Sequence, residues 1–295
     1  MKTLDEMVYG HKQAKKVLQV LLKRSQERYY RKCVLGKNDH PETLKCLLLG
    51  PSGTGKTHLI QSLRKLYNFP LISLDATQLM PTGNGEGTNI KQLKKLIKDT
   101  ARDLTEQPEY HSPEGALNQM VIFVDEFDKL GNSFESSGKW NQHVQANFLT
   151  LIDDKEEFSG LSWIFAGAFS GLYESKSAVK NSIGFFPGAQ EKHIEEITDA
   201  DIIKAGIIPE MLGRISLIVQ LDTFSEEDYH KILCERLLPN YPLSLCPEKI
   251  EEIVAKALKS GQGIRSLTRQ LEMLTIDAEF EEEELENNCL ALYCK

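Results

Sequence analysis

Five short apolar runs, at residues 44–49, 71–74, 120–124, 162–165 and 217–221, are separated by stretches whose apolar residues recur at helical spacing. The run 120–124, Met-Val-Ile-Phe-Val, is apolar throughout, as a strand buried on both faces must be. Between and before these runs, 10–31 sets Ala14, Val17, Leu18, Leu21 and Leu22 on one helix face, and 58–67 is a second helical pattern. Alternation of this kind predicts an α/β fold, a parallel five-stranded sheet covered by helices on both faces. After Leu221 the pattern turns to acidic helices. Ser225 with Asp228 forms a capping-box variant at the start of one, and 247–258 supplies another. Two domains are expected, a large one over 1–221 and a small, mainly helical one over 222–295. The acidic run 279–286 reads as an exposed helix end or turn ahead of a last short strand at 289–293.

Chemistry enters at the end of the first run. Gly50-Pro51-Ser52-Gly53-Thr54-Gly55-Lys56-Thr57 leads through His58 into the helical pattern. Glycines let the backbone curl so that several N–H groups and a helix N-terminus point at phosphate oxygens. Lys56 then reaches the β- and γ-oxygens, and the Thr57 hydroxyl is placed to ligate Mg²⁺. The competing reading is a glycine-rich strand-to-helix turn that fits the pattern by chance. The run 120–124 argues against it, because it ends in Asp125-Glu126, a Walker B pattern. Asp125 would hold Mg²⁺ through water, and Glu126 would polarise the water that attacks the γ-phosphate. ATP binding and hydrolysis, with Mg²⁺ as cofactor, follow from the two motifs together.

Composition narrows the partners. With 43 acidic against 35 basic residues the net charge is −8, so there is no general pull toward nucleic acid or an anionic membrane surface. No run approaches the roughly 18–20 apolar residues a bilayer span needs, and residues 1–10 have no apolar signal core, so a cytoplasmic protein is expected. The six cysteines include no Cys-x-x-Cys pair, and the seven histidines are dispersed. Reduced structural thiols, and no metal beyond the Mg²⁺ carried with nucleotide, are therefore expected.

The two nucleotide motifs in an α/β domain, followed by a small helical domain, give the chain the layout of an AAA+ P-loop NTPase. It resembles the ClpX branch of the Clp/HslU unfoldases over nearly its whole length. The stretch 9–18, which opens Tyr9-Gly10-His11-Lys12-Gln13 and ends at Leu18, is similar to the family's box beside the adenine. The segment 201–214, ending Ile208-Pro209-Glu210-Met211-Leu212-Gly213-Arg214, is similar to the one that ends in the arginine finger. Gly261-Gln262-Gly263-Ile264-Arg265 resembles the start of the sensor-2 helix, and 163–169 the strand before the sensor-1 region. The resemblance implies that Arg214 serves the neighbouring subunit's nucleotide and Arg265 the nucleotide of its own chain, in a ring, as a hexamer, that remodels or unfolds protein. Ile183-Gly184-Phe185 resembles the loop that docks on a ClpP-type peptidase; the competing reading packs Ile183 and Phe185 on their own domain.

The departures concern substrate handling. Where the family presents an aromatic first pore loop, residues 82–87 read Thr-Gly-Asn-Gly-Glu-Gly, with little apolar area to grip a chain. The zinc-binding N-terminal domain is not recognisable, Ser170 is a weak sensor-1 candidate, and 133–140 is short for a second pore loop. Two alternatives stay open: a nucleotide-switched adaptor or decoy that binds ClpP or another partner without translocation, and a DNA-directed motor or loader using Lys91, Lys94, Lys95 and Lys98. Those lysines also fit the solvated side of a helix with Leu93, Leu96 and Ile97 inward. No Ser/His/Asp or Cys/His arrangement appears, so an ATPase without protease activity is expected.

Overall fold

The computed structural model describes residues 3–79, 88–107, 110, 112–131, 138–173 and 197–293, with backbone alone for 138–140 and 281–293. Contacts divide it into two compact units: the described residues of 1–51 and 56–221, and those of 52–55 and 222–295.

The first unit is built on a five-stranded sheet of β1 (Lys45–Leu49), β2 (Leu71–Asp75), β3 (Val121–Asp125), β4 (Ser162–Gly167) and β5 (Leu217–Gln220). All pairs are parallel, in the order β2-β3-β4-β1-β5. Each apolar run became a strand because its alternate residues feed two different cores. Leu47 and Leu49, Ile122 and Val124, and Trp163 and Phe165 point into one; Cys46 and Leu48, Val121 and Phe123, and Ile164 and Ala166 point into the other. In β1, β3 and β4, with both faces buried, no polar alternation is left to read. The Cys46 thiol is pushed up to about 12 by complete burial, so it is a packing group and not a nucleophile.

One face is covered by α1 (Leu4–Met7), α2 (Lys12–Tyr29) and α3 (Lys56–Tyr67), which bury Leu4, Leu18, Leu21, Leu59, Ile60 and Leu63. The other carries α4 (Ile90–Leu104), α5 (Pro113–Gln119), α6 (Gly138–Ile152), α7 (Asp199–Lys204) and α8 (Pro209–Leu212). Asn89 and Gln92 form a capping box that starts α4, which buries Leu93, Ile97 and Ala101. Leu96, expected inside, is 45% exposed. It lies on the helix flank beside Lys95, outside the Leu93, Ile97, Ala101 stripe. Lys98 pairs with Glu157 at 2.8 Å and Lys94 lies 3.9 Å from Asp154, both over the Phe158 ring.

Two segments far apart in sequence touch backbone to backbone on this face. A Cβ on Gly206, whose φ is +96°, would sit 1.8 Å from the Gly131 carbonyl oxygen. Gly206→Ala is therefore expected to cost about 2–4 kcal/mol, from a left-handed φ and a clash that only backbone movement relieves. A denaturant midpoint unchanged from wild type would contradict that close approach.

The second unit is helical. Ser225 and Asp228 form the capping box of α9 (Glu226–Lys231), which continues as a π-helical turn over Ile232–Leu237. Pro247 opens α10 (Pro247–Ser260), and Gly261 at φ +63° closes it. The last helix, α11, runs Ile264–Tyr293, so the strand expected at 289–293 is helix. No glycine or proline interrupts 264–293, and the Glu- and Leu-rich run has high helix propensity, so nothing stops the helix. Tyr229, Leu233, Ile253, Val254, Leu267 and Leu271 are buried in this unit.

Candidate functional site

The parallel register brings the strand ends together. Leu49 lies beside Gly167, and Val124 beside Phe165, so β1, β3 and β4 release their chains at one edge. Crevices at this edge of a parallel α/β sheet are where ligands bind. Gly50 leaves β1 with its N–H donating to the Gly167 carbonyl at 3.4 Å. Gly53 and Gly55 hold φ of +79° and +90°, conformations that L side chains avoid. Lys56, the first residue of α3, is buried, and its Nζ donates to the Gly50 carbonyl at 2.5 Å and to that of Pro51 at 3.0 Å. The ammonium is thus held at the loop by two carbonyls, at the N-terminal end of a 12-residue helix.

At the end of β3, Asp125 uses both carboxylate oxygens. Oδ2 accepts the Thr57 hydroxyl at 2.6 Å, and Oδ1 accepts the Glu126 N–H at 2.9 Å. A hydroxyl and a carboxylate converging at this distance are hard oxygen donors, and they fit Mg²⁺. Glu126 stands at φ 53°, ψ 34°, in the left-handed region, with its side chain exposed. A non-glycine residue there carries backbone strain, and such strain concentrates at functional positions. This left-handed residue ends β3 at the sheet edge and leads into the short turn Phe127–Leu130.

Sequence reasoning missed Asp128. It is buried, and its Oδ1 accepts the Ala168 N–H at 3.0 Å, joining the turn after β3 to the end of β4. Phe169, next in the chain, also has a positive φ, 46°. Its ring lies where a Cβ on Gly167 would be, 2.5 Å away, so Gly167 makes room for this corner. An acidic residue two places after Glu126 was the available signal. Ser170 is exposed at the same corner.

The N-terminal segment is tied to α3. The His58 ring lies 3.2 Å from the Met7 carbonyl, so this histidine joins α1 to the helix of Lys56 and Thr57. Lys15 is buried and donates to the Val8 carbonyl at 2.6 Å and to Asp5 at 2.7 Å. Tyr9 is half-buried between these ties, and His11, buried at φ 56°, starts α2.

Residues 46–178 match the AAA family, described as "ATPase family associated with various cellular activities". The chain is 31% identical to the "ATP-dependent Clp protease ATP-binding subunit ClpX" of Treponema denticola, over 94% of this chain and 75% of that protein. The chain belongs to the ClpX branch of the AAA+ ATPases. A second relative, "ATP-dependent Clp protease ATP-binding subunit ClpX 2" of Wolinella succinogenes, is 27% identical with the same coverage of both chains. This ClpX-family chain is accordingly an ATP-binding ATPase with a parallel five-stranded sheet and a helical C-terminal region.

Within this ClpX-family chain the structure does not bring Arg214 to its own phosphate loop. Arg214 precedes β5, and the Ser216 N–H donates to the Lys45 carbonyl, so Arg214 belongs to the N-terminal ends of the strands. Four strand steps along β1, about 13 Å, separate Lys45 from the loop end. There Arg214 Nε donates to Asp153 Oδ1 at 2.6 Å, both side chains partly exposed. That hydrogen bond holds the Asp153 carboxyl below the ordinary carboxylate range, with slight burial opposing it. A cleft of about 520 Å³ at this end, lined by Arg28, Lys45, Asp153 and Phe158 among others, includes no phosphate-loop residue. Arg265 is exposed in the first turn of α11, in the second unit. Ile183, Gly184 and Phe185, with residues 82–87, lie outside the described residues. Among the described residues no helix is long and apolar enough to cross a membrane, and no group of three or more His, Cys, Asp or Glu side chains has the arrangement to hold a metal ion.

Proposed function

We propose that this chain forms a ring, as a hexamer in the cytoplasm, that uses ATP hydrolysis to unfold or remodel protein and can deliver it to a ClpP-type peptidase. The observation that carries the hydrolytic part is the meeting of Lys56, Thr57, Asp125 and Glu126 at one sheet edge. The loop N–H groups of 50–57 and Lys56 would cradle the phosphates, orienting the γ-phosphoryl group toward Glu126. Thr57 and Asp125 would hold Mg²⁺, which supplies neutralisation of charge between the β- and γ-phosphates. Glu126, exposed at the left-handed turn that ends β3, would orient and deprotonate the attacking water.

Arg214, fixed by Asp153 at the opposite strand ends, is the charge each subunit would offer to its neighbour's γ-phosphate. Arg265, in a small domain over 222–295, would contact the nucleotide of its own chain, and Tyr9 would flank the adenine. Ile183, Gly184 and Phe185 would plug an apolar pocket of the peptidase. A second reading, a nucleotide-switched adaptor that binds such a peptidase without moving polypeptide, is favoured by the absence of an aromatic residue in 82–87. On the third, a DNA-directed motor, the pairing of Lys94 and Lys98 with acids reduces the positive face that DNA would meet.

The test is ATP-dependent loss of fluorescence from an unstably folded fluorescent protein, run with ClpP capture of the Glu126→Gln variant and Phe185→Ala as control. Unfolding that needs ATP supports the remodeller. ClpP capture without unfolding moves the assignment to the adaptor. Neither activity, together with ATP turnover accelerated by DNA and suppressed by salt, moves it to the DNA motor.

A further inference from the structure

We infer that Gln145 is a positioning residue that couples the catalytic turn of a subunit to the Arg214 which that subunit presents to its neighbour. The inference rests on the trans role proposed for Arg214. Gln145 is wholly buried in α6, on the same face as Phe148 and Ile152, and its carboxamide makes three hydrogen bonds. Nε2 donates to the Leu130 carbonyl at 2.9 Å and to the Gly206 carbonyl at 3.1 Å, while Oε1 accepts the Ile208 N–H at 2.8 Å. Two carbonyls and one N–H in one place call for a group with two donors and an acceptor. Asparagine is one methylene shorter, an ionised glutamate brings no donor, and an apolar side chain would leave these three backbone groups without this partner.

The three partners belong to the two segments that matter. Leu130 closes the turn Phe127–Leu130 that begins directly after Glu126. Ile208 is the N-cap residue of α8, and Arg214 follows that helix by two residues. Gly131 and Gly206 touch backbone to backbone beside the carboxamide, leaving no gap to absorb a displacement. Farther along the same helix, Asp153 follows the last turn of α6 and holds the guanidinium itself. Helix α6 therefore splints 206–214 at both ends, and its Gln145 end is also fastened to the catalytic turn. Movement of that turn with nucleotide state would be passed to Ile208 and through α8 to Arg214.

This route predicts a defect that appears in the neighbour's site. Rings of Gln145→Met alone should turn over ATP about tenfold more slowly, with nucleotide affinity within about twofold of wild type. Co-expression with an excess of Glu126→Gln subunits, which hydrolyse nothing but carry an intact Arg214, should raise turnover per Gln145→Met subunit by about fivefold. Arg214→Ala mixed in the same way reports on the trans role by itself. Gln145→Asn, neutral and polar but one methylene too short to reach all three partners, repeats the experiment in case the methionine variant does not fold. Recovery for Arg214→Ala but for neither Gln145 variant overturns the inference and leaves the trans role standing. No recovery for Arg214→Ala overturns both.

Discussion

Glu126→Gln should bind ATP as tightly as wild type and turn it over about 10³-fold more slowly. The substitution keeps size, shape and the backbone N–H that Asp125 accepts, so the loop, Lys56 and the Thr57–Asp125 contact remain as they are. What disappears is the only property a water-activating group needs, a basic oxygen. General bases contribute about 10²–10⁴ to turnover, and a glutamine at the same place supplies none of it. Steady-state phosphate release read beside fluorescent-nucleotide binding separates the two quantities. Turnover within tenfold of wild type would mean that another group activates the water, and the left-handed turn at Glu126 would then need a different explanation.

Lys56→Ala should remove the binding step itself, with affinity for ATP falling by about 100-fold or more, in the range of a lost charge-assisted contact in a buried setting. Two effects add here. The ammonium that would meet the phosphates is gone, and the Gly50 and Pro51 carbonyls lose the donor that holds the loop in shape. Thermal denaturation with and without nucleotide gives the readout. ATP should raise the wild-type midpoint through binding to the folded state alone and leave the variant's midpoint where it was. A variant that ATP stabilises as much as wild type would show that the loop N–H groups suffice for binding and that Lys56 acts later, in chemistry.

The sheet is legible from sequence because its central strands β1, β3 and β4 are buried on both sides and its edge strands β2 and β5 still carry short apolar runs. The runs at 44–49, 71–74, 120–124, 162–165 and 217–221 lie within two residues of the observed strands at each end. The phosphate loop and the Asp125-Glu126 pair are legible for a related reason, since each is local and short. The last strand is misplaced because the sequence Cys289-Leu290-Ala291-Leu292-Tyr293 is an apolar stretch that fits either period, and only the uninterrupted helix before it decides the matter. What sequence does not disclose is long-range. The partners of Gln145 are 15, 61 and 63 residues away, and Asp153 is 61 residues from Arg214. Gln145 nevertheless leaves one trace, a polar side chain on the apolar face marked by Phe148 and Ile152. The left-handed backbone of Glu126 leaves none, because glutamate has no special preference for it.

The strand order bears on how the chain is made. β1, the strand that leads into the phosphate loop, is flanked by β4 and β5 and by no strand near it in sequence. On the ribosome its hydrogen-bonding edges and its leucines appear before either neighbour; β4 follows at Ser162 and β5 only at Leu217. At about 5–20 residues per second the wait for β4 is on the order of 5–25 s and that for β5 on the order of 10–30 s, so a strongly apolar segment first lacks both native neighbours and then one of them. Expression yield should therefore respond to translation speed and to the supply of holdase chaperones that protect nascent chains. A version permuted so that synthesis begins shortly before β4 would shorten the wait.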